Sequence, residues 1–71
     1  MLWRYELLNT RIAHADAIIL DGGMFDATDL GEARLKIGEV MDNIERTTDP
    51  AGPDTIRLVD LAGREVWRTK L

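Results

Sequence analysis

The sequence predicts a single α+β domain over residues 1–71, in which a four-stranded antiparallel sheet carries one helix packed on one face, in the order β-β-α-β-β. Two patterns predict this class. Segments near both ends alternate apolar and polar residues with a period of two, which is typical of strands, and the stretch after Asp29 repeats apolar residues with the helical period of 3.6. A chain of 71 residues provides one small core, because short chains bury only about 60% of the surface that they expose when unfolded.

Two strands are predicted before the helix. Leu2 to Leu8 alternates aromatic and aliphatic residues with polar ones, which indicates a half-buried strand. Ile12 to Leu20 is predicted as the second strand, although its alanines are poor strand formers and a short helix is the alternative there. Asp21-Gly22-Gly23 is predicted to form a turn, since glycine adopts positive φ at little steric cost.

The helix is predicted to begin after Asp29. Asp29 and Glu32 resemble a capping box, in which the first side chain accepts a hydrogen bond from the backbone three residues later. Glu32 with Lys36, and Asp42 with Arg46, are pairs spaced four residues apart in the favourable acid-first order. The apolar arc expected to face the sheet comprises Leu30, Ala33, Ile37, Val40, Met41 and Ile44.

A hairpin is predicted for the last part of the chain, after a stiff loop at residues 49–54 with two prolines. Thr55 to Asp60 and Arg64 to Lys70 both alternate as strands do, and Asp60-Leu61-Ala62-Gly63 suits a type I turn with a left-handed glycine. Because one helix covers one face only, the other face of the sheet is expected to be polar, dimeric or a binding surface. The sheet residues expected to pack under the helix are Trp3, Tyr5, Leu7, Ile18, Leu20, Ile56, Leu58 and Val66.

The composition argues against an enzyme. The chain has no serine, no cysteine and one histidine, His14, so it lacks the usual pairing of a nucleophile with an adjacent base. His14 and Asp16 share one side of a predicted strand, but the acids that follow do not have the spacing of a calcium-binding loop. We therefore predict no catalytic residue, no metal site and no cofactor.

The sequence also predicts a cytoplasmic protein that does not bind membranes. Its longest apolar run, residues 17–20, is much shorter than the roughly 18 residues that a membrane-spanning helix needs. The first residues lack the basic and then apolar pattern of a secretory signal. The absence of cysteine fits a reducing compartment.

Negative charge is concentrated in the middle of the chain and predicts a surface for a partner. The net charge is −4, and residues 16–54 hold ten acidic residues against three basic ones. Glu32 and Glu39 line up on the outer side of the predicted helix, where a partner with a basic surface would find complementary charge. The alternative is an ordinary solvated face. The acidic residues predicted to bind the protein partner are Asp26, Glu32, Glu39, Asp42 and Glu45.

Gly38 lies inside the predicted helix, where a glycine lowers the stability of the helix by about 1 kcal/mol relative to alanine. Its presence there therefore needs an explanation. Gly31 lies seven residues before it on the same flank. Close approach of a backbone, either from a partner or from the protein's own sheet, would explain both glycines; neutral drift is the alternative.

Two further hypotheses concern the sheet. Trp3, Tyr5 and Trp67 would stack on bases if they shared a surface with neighbouring arginines. The net negative charge opposes this, because contacts to phosphate supply most non-specific affinity, so nucleic acid is not the preferred partner. The arginines concerned are Arg4, Arg57 and Arg68. The helix-free face of the sheet would also suit a homodimer.

Two motifs are similar to a group of short uncharacterised bacterial proteins: Asp29-Leu30-x-x-Ala33-Arg34 at the helix start and Asp60-x-x-Gly63-Arg64-x-Val66 in the hairpin. The similarity covers about residues 20–70 and implies no known activity. In size, acidity and order of elements the chain also resembles phage-encoded anti-CRISPR proteins. This second resemblance implies an inhibitor that occupies a surface of a CRISPR effector subunit where DNA would otherwise bind, as a nucleic-acid mimic does.

Overall fold

The computed structural model describes residues 1–11, 17–44 and 50–71, and it confirms the predicted α+β fold with the order β-β-α-β-β. The four strands form one antiparallel sheet with the spatial order β2-β1-β3-β4, so β1 and β3 are central. The elements are β1 (Leu2–Asn9), β2 (Ile18–Asp26), α1 (Leu30–Asn43), β3 (Thr55–Val59) and β4 (Glu65–Lys70).

The hydrophobic core lies between α1 and one face of the sheet. Alternate residues of a strand point to opposite faces, and Leu7 pairs with Ile56 while Tyr5 pairs with Leu58, so these side chains share the face under the helix. The indole N–H of Trp3 donates to the carbonyl of Ala27 at 3.2 Å, which satisfies its polar atom inside the core. The buried core residues are Trp3, Leu7, Ala27, Ala33, Ile37, Ile56 and Leu58, with Tyr5, Phe25, Val40, Met41, Ile44, Trp67 and Leu71 packed around them.

Four residues predicted to lie in the core are exposed instead: Leu30, Ile18, Leu20 and Val66. Leu30 is the first residue of α1, where the helix is only beginning. Val66 is exposed because its neighbour in β4 pairs with Leu58 on the core side, which leaves Val66 to face away.

The prediction of a second strand over Ile12 to Leu20, ended by a turn at Asp21-Gly22-Gly23, is wrong in its C-terminal part. β2 continues through both glycines to Asp26, and residues 12–16 lie outside the described residues. The pairing of β1 with β2 shifts its register between Leu7 and Leu8, which leaves one extra residue in β2. The alternation of side chains between the two faces of the sheet is therefore interrupted at this point. Phe25, which the sequence did not single out, packs on the core in place of Ile18 and Leu20.

Glycine fits in β2 because Tyr5 needs the space. Gly23 pairs with Tyr5, and a Cβ added to Gly23 would lie 2.7 Å from two atoms of the Tyr5 side chain. A glycine inside a strand often marks such a close approach. The ring of Tyr5 then lies 6.5 Å from that of Phe25, measured between centroids.

The start of α1 confirms half of the predicted capping box. Asp29 has an extended backbone, and its Oδ1 accepts a hydrogen bond from the N–H of Glu32 at 2.9 Å. Such a cap stabilises a helix by about 1 kcal/mol. The Glu32 side chain does not complete the box, because Thr28 Oγ1 donates to it at 2.7 Å. The helix ends at the extended residue Ile44.

The turn between β3 and β4 is organised by Asp60. Its Oδ1 accepts hydrogen bonds from the backbone N–H groups of Ala62 and Arg64, both at 2.9 Å. The hydrogen bond from the Arg64 backbone is the main reason why the pKa of Asp60 lies below its usual value of 3.8. Gly63 has a φ of 82°, which confirms the predicted left-handed glycine.

At the opposite end of the sheet, β1 is fastened to the loop before β3. The buried amide of Asn9 donates to the carbonyls of Pro50 and Gly52, at 2.6 and 2.8 Å. Asp54 accepts from the backbone N–H of Thr10 at 3.0 Å and pairs with Arg11 at 3.2 Å. Loss of solvation raises the pKa of Asp54, but hydrogen bonds from Thr55 and Thr10 outweigh that effect and hold the pKa below 3.8.

The core assignment predicts opposite outcomes for the same substitution at two positions of α1. Ile37 is fully buried, so Ile37→Asp loses its packing and buries a charge, at a cost of several kcal/mol that unfolds a domain of this size. Leu35 is 75% exposed, so Leu35→Asp should cost only a few tenths of a kcal/mol, through repulsion from nearby acids. Circular dichroism melting curves measure both; equal melting temperatures would refute this core.

The lowered pKa of Asp54 predicts how its contribution depends on pH. A carboxylate with a pKa depressed by folding stabilises the protein above its unfolded pKa near 3.8, and this stabilisation is lost as pH falls through the lower folded value. The difference in free energy of unfolding between the wild-type protein and Asp54→Asn should therefore shrink from pH 5.5 to pH 2.5. Urea unfolding at both pH values measures it; a constant or growing difference would contradict the prediction.

Candidate functional site

The side of α1 that faces away from the core is the surface on which the predicted acids lie, and we call it the outer helix face. Leu35 is at its centre. Each helical residue advances about 100°, so Leu35, two residues from both Ala33 and Ile37, points directly away from the core. Leu35 is the most exposed large apolar residue among those that the structure describes. The outer helix face comprises Gly31, Glu32, Leu35, Gly38, Glu39 and Asp42.

Acidic residues surround Leu35. Glu32 precedes it by three residues, Glu39 follows by four and Asp42 by seven, which are the spacings of neighbours on one helix face. Glu39 and Asp42 are exposed, and neither carboxylate forms an ion pair with any residue in the described ranges. The predicted partner of Asp42, Arg46, lies outside those ranges.

Glu32 is the most constrained of these acids. The hydrogen bond from Thr28 Oγ1 is the main reason why its pKa lies below the usual 4.5, so the carboxylate stays ionised at neutral pH. Lys36 Nζ lies 3.8 Å from Glu32 Oε1 and offsets part of its charge. Glu39 and Asp42 therefore carry most of the negative charge available to a partner.

The basic residues of α1 are directed to its flanks. The Arg34 guanidinium lies over the Trp67 ring, 5.1 Å from its centroid, in a cation–π arrangement. Lys36 Nζ donates to the backbone carbonyl of Asp26. Both cations thus interact with the sheet side of the molecule, and the outer helix face keeps its negative character.

The two helix glycines leave bare backbone beside Leu35. A Cβ added to Gly38 would meet no described atom within 4 Å, and one added to Gly31 would meet only Asp29 Oδ1, at 3.3 Å. Packing against the protein's own sheet therefore does not explain these glycines. Of the predicted explanations, two remain: close approach of a partner, and neutral drift.

The structure brings three of the five predicted acids together. Glu32, Glu39 and Asp42 lie on the outer helix face, whereas Asp26 is exposed at the end of β2. Phe25 points into the core, so Asp26 points away from the helix side of the sheet. Glu45 lies outside the described residues.

The helix-free face of the sheet is polar around a buried carboxylate. Arg57 Nε donates to Glu6 Oε1 at 2.7 Å, and Arg4 Nη2 lies 3.5 Å from Glu6 Oε2. In β4, Arg68 donates twice to Glu65, at 2.9 and 2.6 Å, and these bonds raise the pKa of Arg68. Three arginines and two glutamates thus form a charged ladder on this face, which leaves open whether it also serves as a dimer or binding surface.

This ladder bears on the base-stacking hypothesis. The three arginines that it requires lie on the helix-free face, whereas Trp3, Tyr5 and Trp67 pack on the opposite face, around the core beneath α1. A nucleic-acid strand on either face would meet these three arginines or the three aromatic rings, but not both. The sheet therefore lacks the combined surface that the hypothesis requires.

Other kinds of site have little support in the part of the chain that the structure describes. No three acidic or histidine side chains gather there at metal-binding distance; His14 and Asp16 lie outside it. A surface cavity of about 110 Å³ is lined by Arg4, Met24, Asp60, Leu61 and Gly63. Across the described ranges, no helix has the length and apolar character needed to cross a bilayer.

Comparison of the chain with protein families, with characterised proteins and with solved structures found no match. The resemblances to short bacterial proteins and to anti-CRISPR proteins therefore stay predictions. Leu35 is the residue of the candidate site that sequence reasoning missed. Its signal was an apolar residue outside the apolar arc, flanked by acids and glycines.

The environments of two glycines predict opposite effects of alanine. Gly38→Ala should raise the free energy of unfolding by about 0.5–1 kcal/mol, because alanine is the better helix former and its methyl group meets no neighbour. Gly63→Ala should lower it by about 1 kcal/mol or more, because φ is positive there. Urea unfolding of the two variants beside the wild-type protein measures both; a destabilised Gly38→Ala would contradict the open environment of Gly38.

Proposed function

We propose that this chain is a non-enzymatic interaction protein that binds a protein partner with a basic surface through its outer helix face. The observation that carries the proposal is Leu35, exposed at the centre of a ring of acids on the side of α1 opposite the core. An apolar centre with a charged rim is the usual anatomy of a protein interface. Leu35 is 75% exposed, so it adds little to the core, whereas a pocket on a partner would bury it.

The electrostatics favour a basic partner. Glu39 and Asp42 are exposed on a face from which Arg34 and Lys36 are turned away. Charges of one sign on one surface speed association with the opposite charge and discourage acidic partners. Gly31 and Gly38 add a strip of backbone that a partner side chain or helix can approach closely.

The finer proposal is that binding blocks the partner. A basic protein surface commonly serves to hold the phosphates of a nucleic acid, so a row of carboxylates that occupies it would act as a nucleic-acid mimic. A CRISPR effector subunit is the partner that the resemblance to anti-CRISPR proteins implies. The acidic sequence and the outer helix face support a partner with a basic surface. The identification of that partner as a CRISPR effector subunit rests on the resemblance alone.

Affinity capture from cell lysate with the wild-type protein, followed by mass spectrometry, identifies the partner, and matched variants then test the face. Glu39→Gln with Asp42→Asn removes two negative charges and should weaken binding at least tenfold, which corresponds to about 1.4 kcal/mol. Leu61→Lys with Ala62→Lys changes the net charge by the same amount on exposed residues of the β3–β4 turn and should have a much smaller effect. Equal losses from the two variants would mean that only net charge matters, and would refute this face.

Leu35→Ala tests the apolar centre separately. It removes no charge and no core contact, so the melting temperature should stay within a few degrees of wild type. Affinity for the captured partner should fall about tenfold if a pocket buries the leucine. Unchanged affinity would contradict a central role for Leu35.

A further inference from the structure

The two outer edges of the sheet differ in a way that the proposed function does not explain. The β4 edge carries Glu65, Arg68 and Lys70, and charged side chains protect an edge strand from pairing with other chains. The β2 edge has no lysine, arginine or proline along its nine residues. It exposes four large apolar side chains instead: Ile18, Ile19, Leu20 and Met24.

The backbone of β2 shows which groups are directed outward. The N–H of Ala27 donates to the carbonyl of Met1, towards β1. Because residues of an antiparallel ladder alternate, Gly22, Met24 and Asp26 direct their N–H and C=O groups away from β1. These three residues form the unpaired edge of the sheet.

Two of the outward groups already bond to side chains. Asp21 Oδ1 accepts from the N–H of Gly22 at 2.8 Å, and Lys36 Nζ donates to the carbonyl of Asp26. A carboxylate and an ammonium thus take the places of the carbonyl and the N–H that a neighbouring strand would supply. Between them, the outward N–H and C=O of Met24 have no side-chain partner among the described residues, and Met24 itself is 58% exposed.

The charges of this edge indicate what would pair with it. Asp21 and Asp26 lie on either side of Met24, and β2 has no basic residue to balance them. A second copy of β2 would add two more carboxylates and no basic residue, so it offers no opposite charge to either aspartate. A segment with lysine or arginine opposite the two aspartates and apolar residues opposite Met24 and Leu20 complements both the charge and the apolar surface.

From these observations we infer that the outer edge of β2 binds an extended segment of another protein, apolar at its centre and with basic residues opposite Asp21 and Asp26, which adds to the sheet as a fifth strand. Strand addition of this kind takes affinity from main-chain hydrogen bonds and specificity from the side chains. The edge is separate from the outer helix face, so this inference stands or falls independently of the proposed function.

An eight-residue synthetic peptide of valine with lysine at positions 2 and 7, which would face Asp26 and Asp21, is the probe, with a fully N-methylated peptide of the same sequence as control. The control keeps the side chains and charges but cannot donate backbone hydrogen bonds. With ¹⁵N-labelled protein, the valine–lysine peptide should shift the amide resonances of Ile18–Asp26 and slow hydrogen exchange at Met24 at least tenfold. Equal binding of the N-methylated peptide, or shifts confined to α1 or β4, would overturn the inference.

Matched variants give the second arm. Met24→Lys puts a like charge on the edge and should weaken peptide binding at least tenfold. Ala62→Lys adds the same charge to an exposed residue of the β3–β4 turn and should weaken it much less. Equal losses would show attraction to net charge alone. A dimer of the unliganded protein by sedimentation, with Met24 already protected from exchange, would make a second copy the occupant and would also overturn the inference.

Discussion

One helix has to cover a four-stranded sheet in this protein, and the rest of the structure depends on how that single layer of packing is made. Ala33 and Ile37 of α1 are fully buried against Ile56 and Leu58 of the central strand β3. These two are the buried residues of the helix. Because apolar burial is the main favourable term in folding, a defect in this packing would cost the domain much of its stability.

The helix-free face carries a charged network of its own. It places the nearly buried Glu6 between Arg4 and Arg57, so that its carboxylate is paired on both sides. Burying a carboxylate is costly unless it is paired and hydrogen-bonded. Its pairing with Arg57 also joins the two central strands through their side chains, since Glu6 and Arg57 are register partners.

The sequence predicted the features that depend on local pattern. The apolar arc of α1, the cap at Asp29 and the left-handed Gly63 each follow from a few neighbouring residues, and each is present in the structure. The extent of β2 depends instead on its pairing with β1. The extra residue near Leu8 and the space that Tyr5 needs beside Gly23 both arise from this pairing, so the sequence of β2 alone does not predict them. Tertiary pairing overrode the turn that Gly22 and Gly23 predict on their own.

In the candidate site, too, some features follow from local sequence pattern and others depend on the tertiary structure. The row formed by Glu32, Glu39 and Asp42 follows from helical spacing. Local spacing could not reveal that Asp26 lies apart from this row or that Lys36 reaches back to the carbonyl of Asp26. Leu35 already lies outside the predicted apolar arc, but only the burial of Ala33 and Ile37 shows that it is exposed at the centre of the outer helix face. Surface sites are harder to predict than cores for this reason.

The positions of the two tryptophans give the molecule its own optical reporters. Trp3 is held inside the core through Ala27, whereas Trp67 is half-buried at the edge of the helix, with the guanidinium of Arg34 against its ring. Separation of α1 from the sheet would take that cation from one indole and admit water to both. The intrinsic fluorescence of this protein therefore reports on the contact between helix and sheet from two positions, without any attached label.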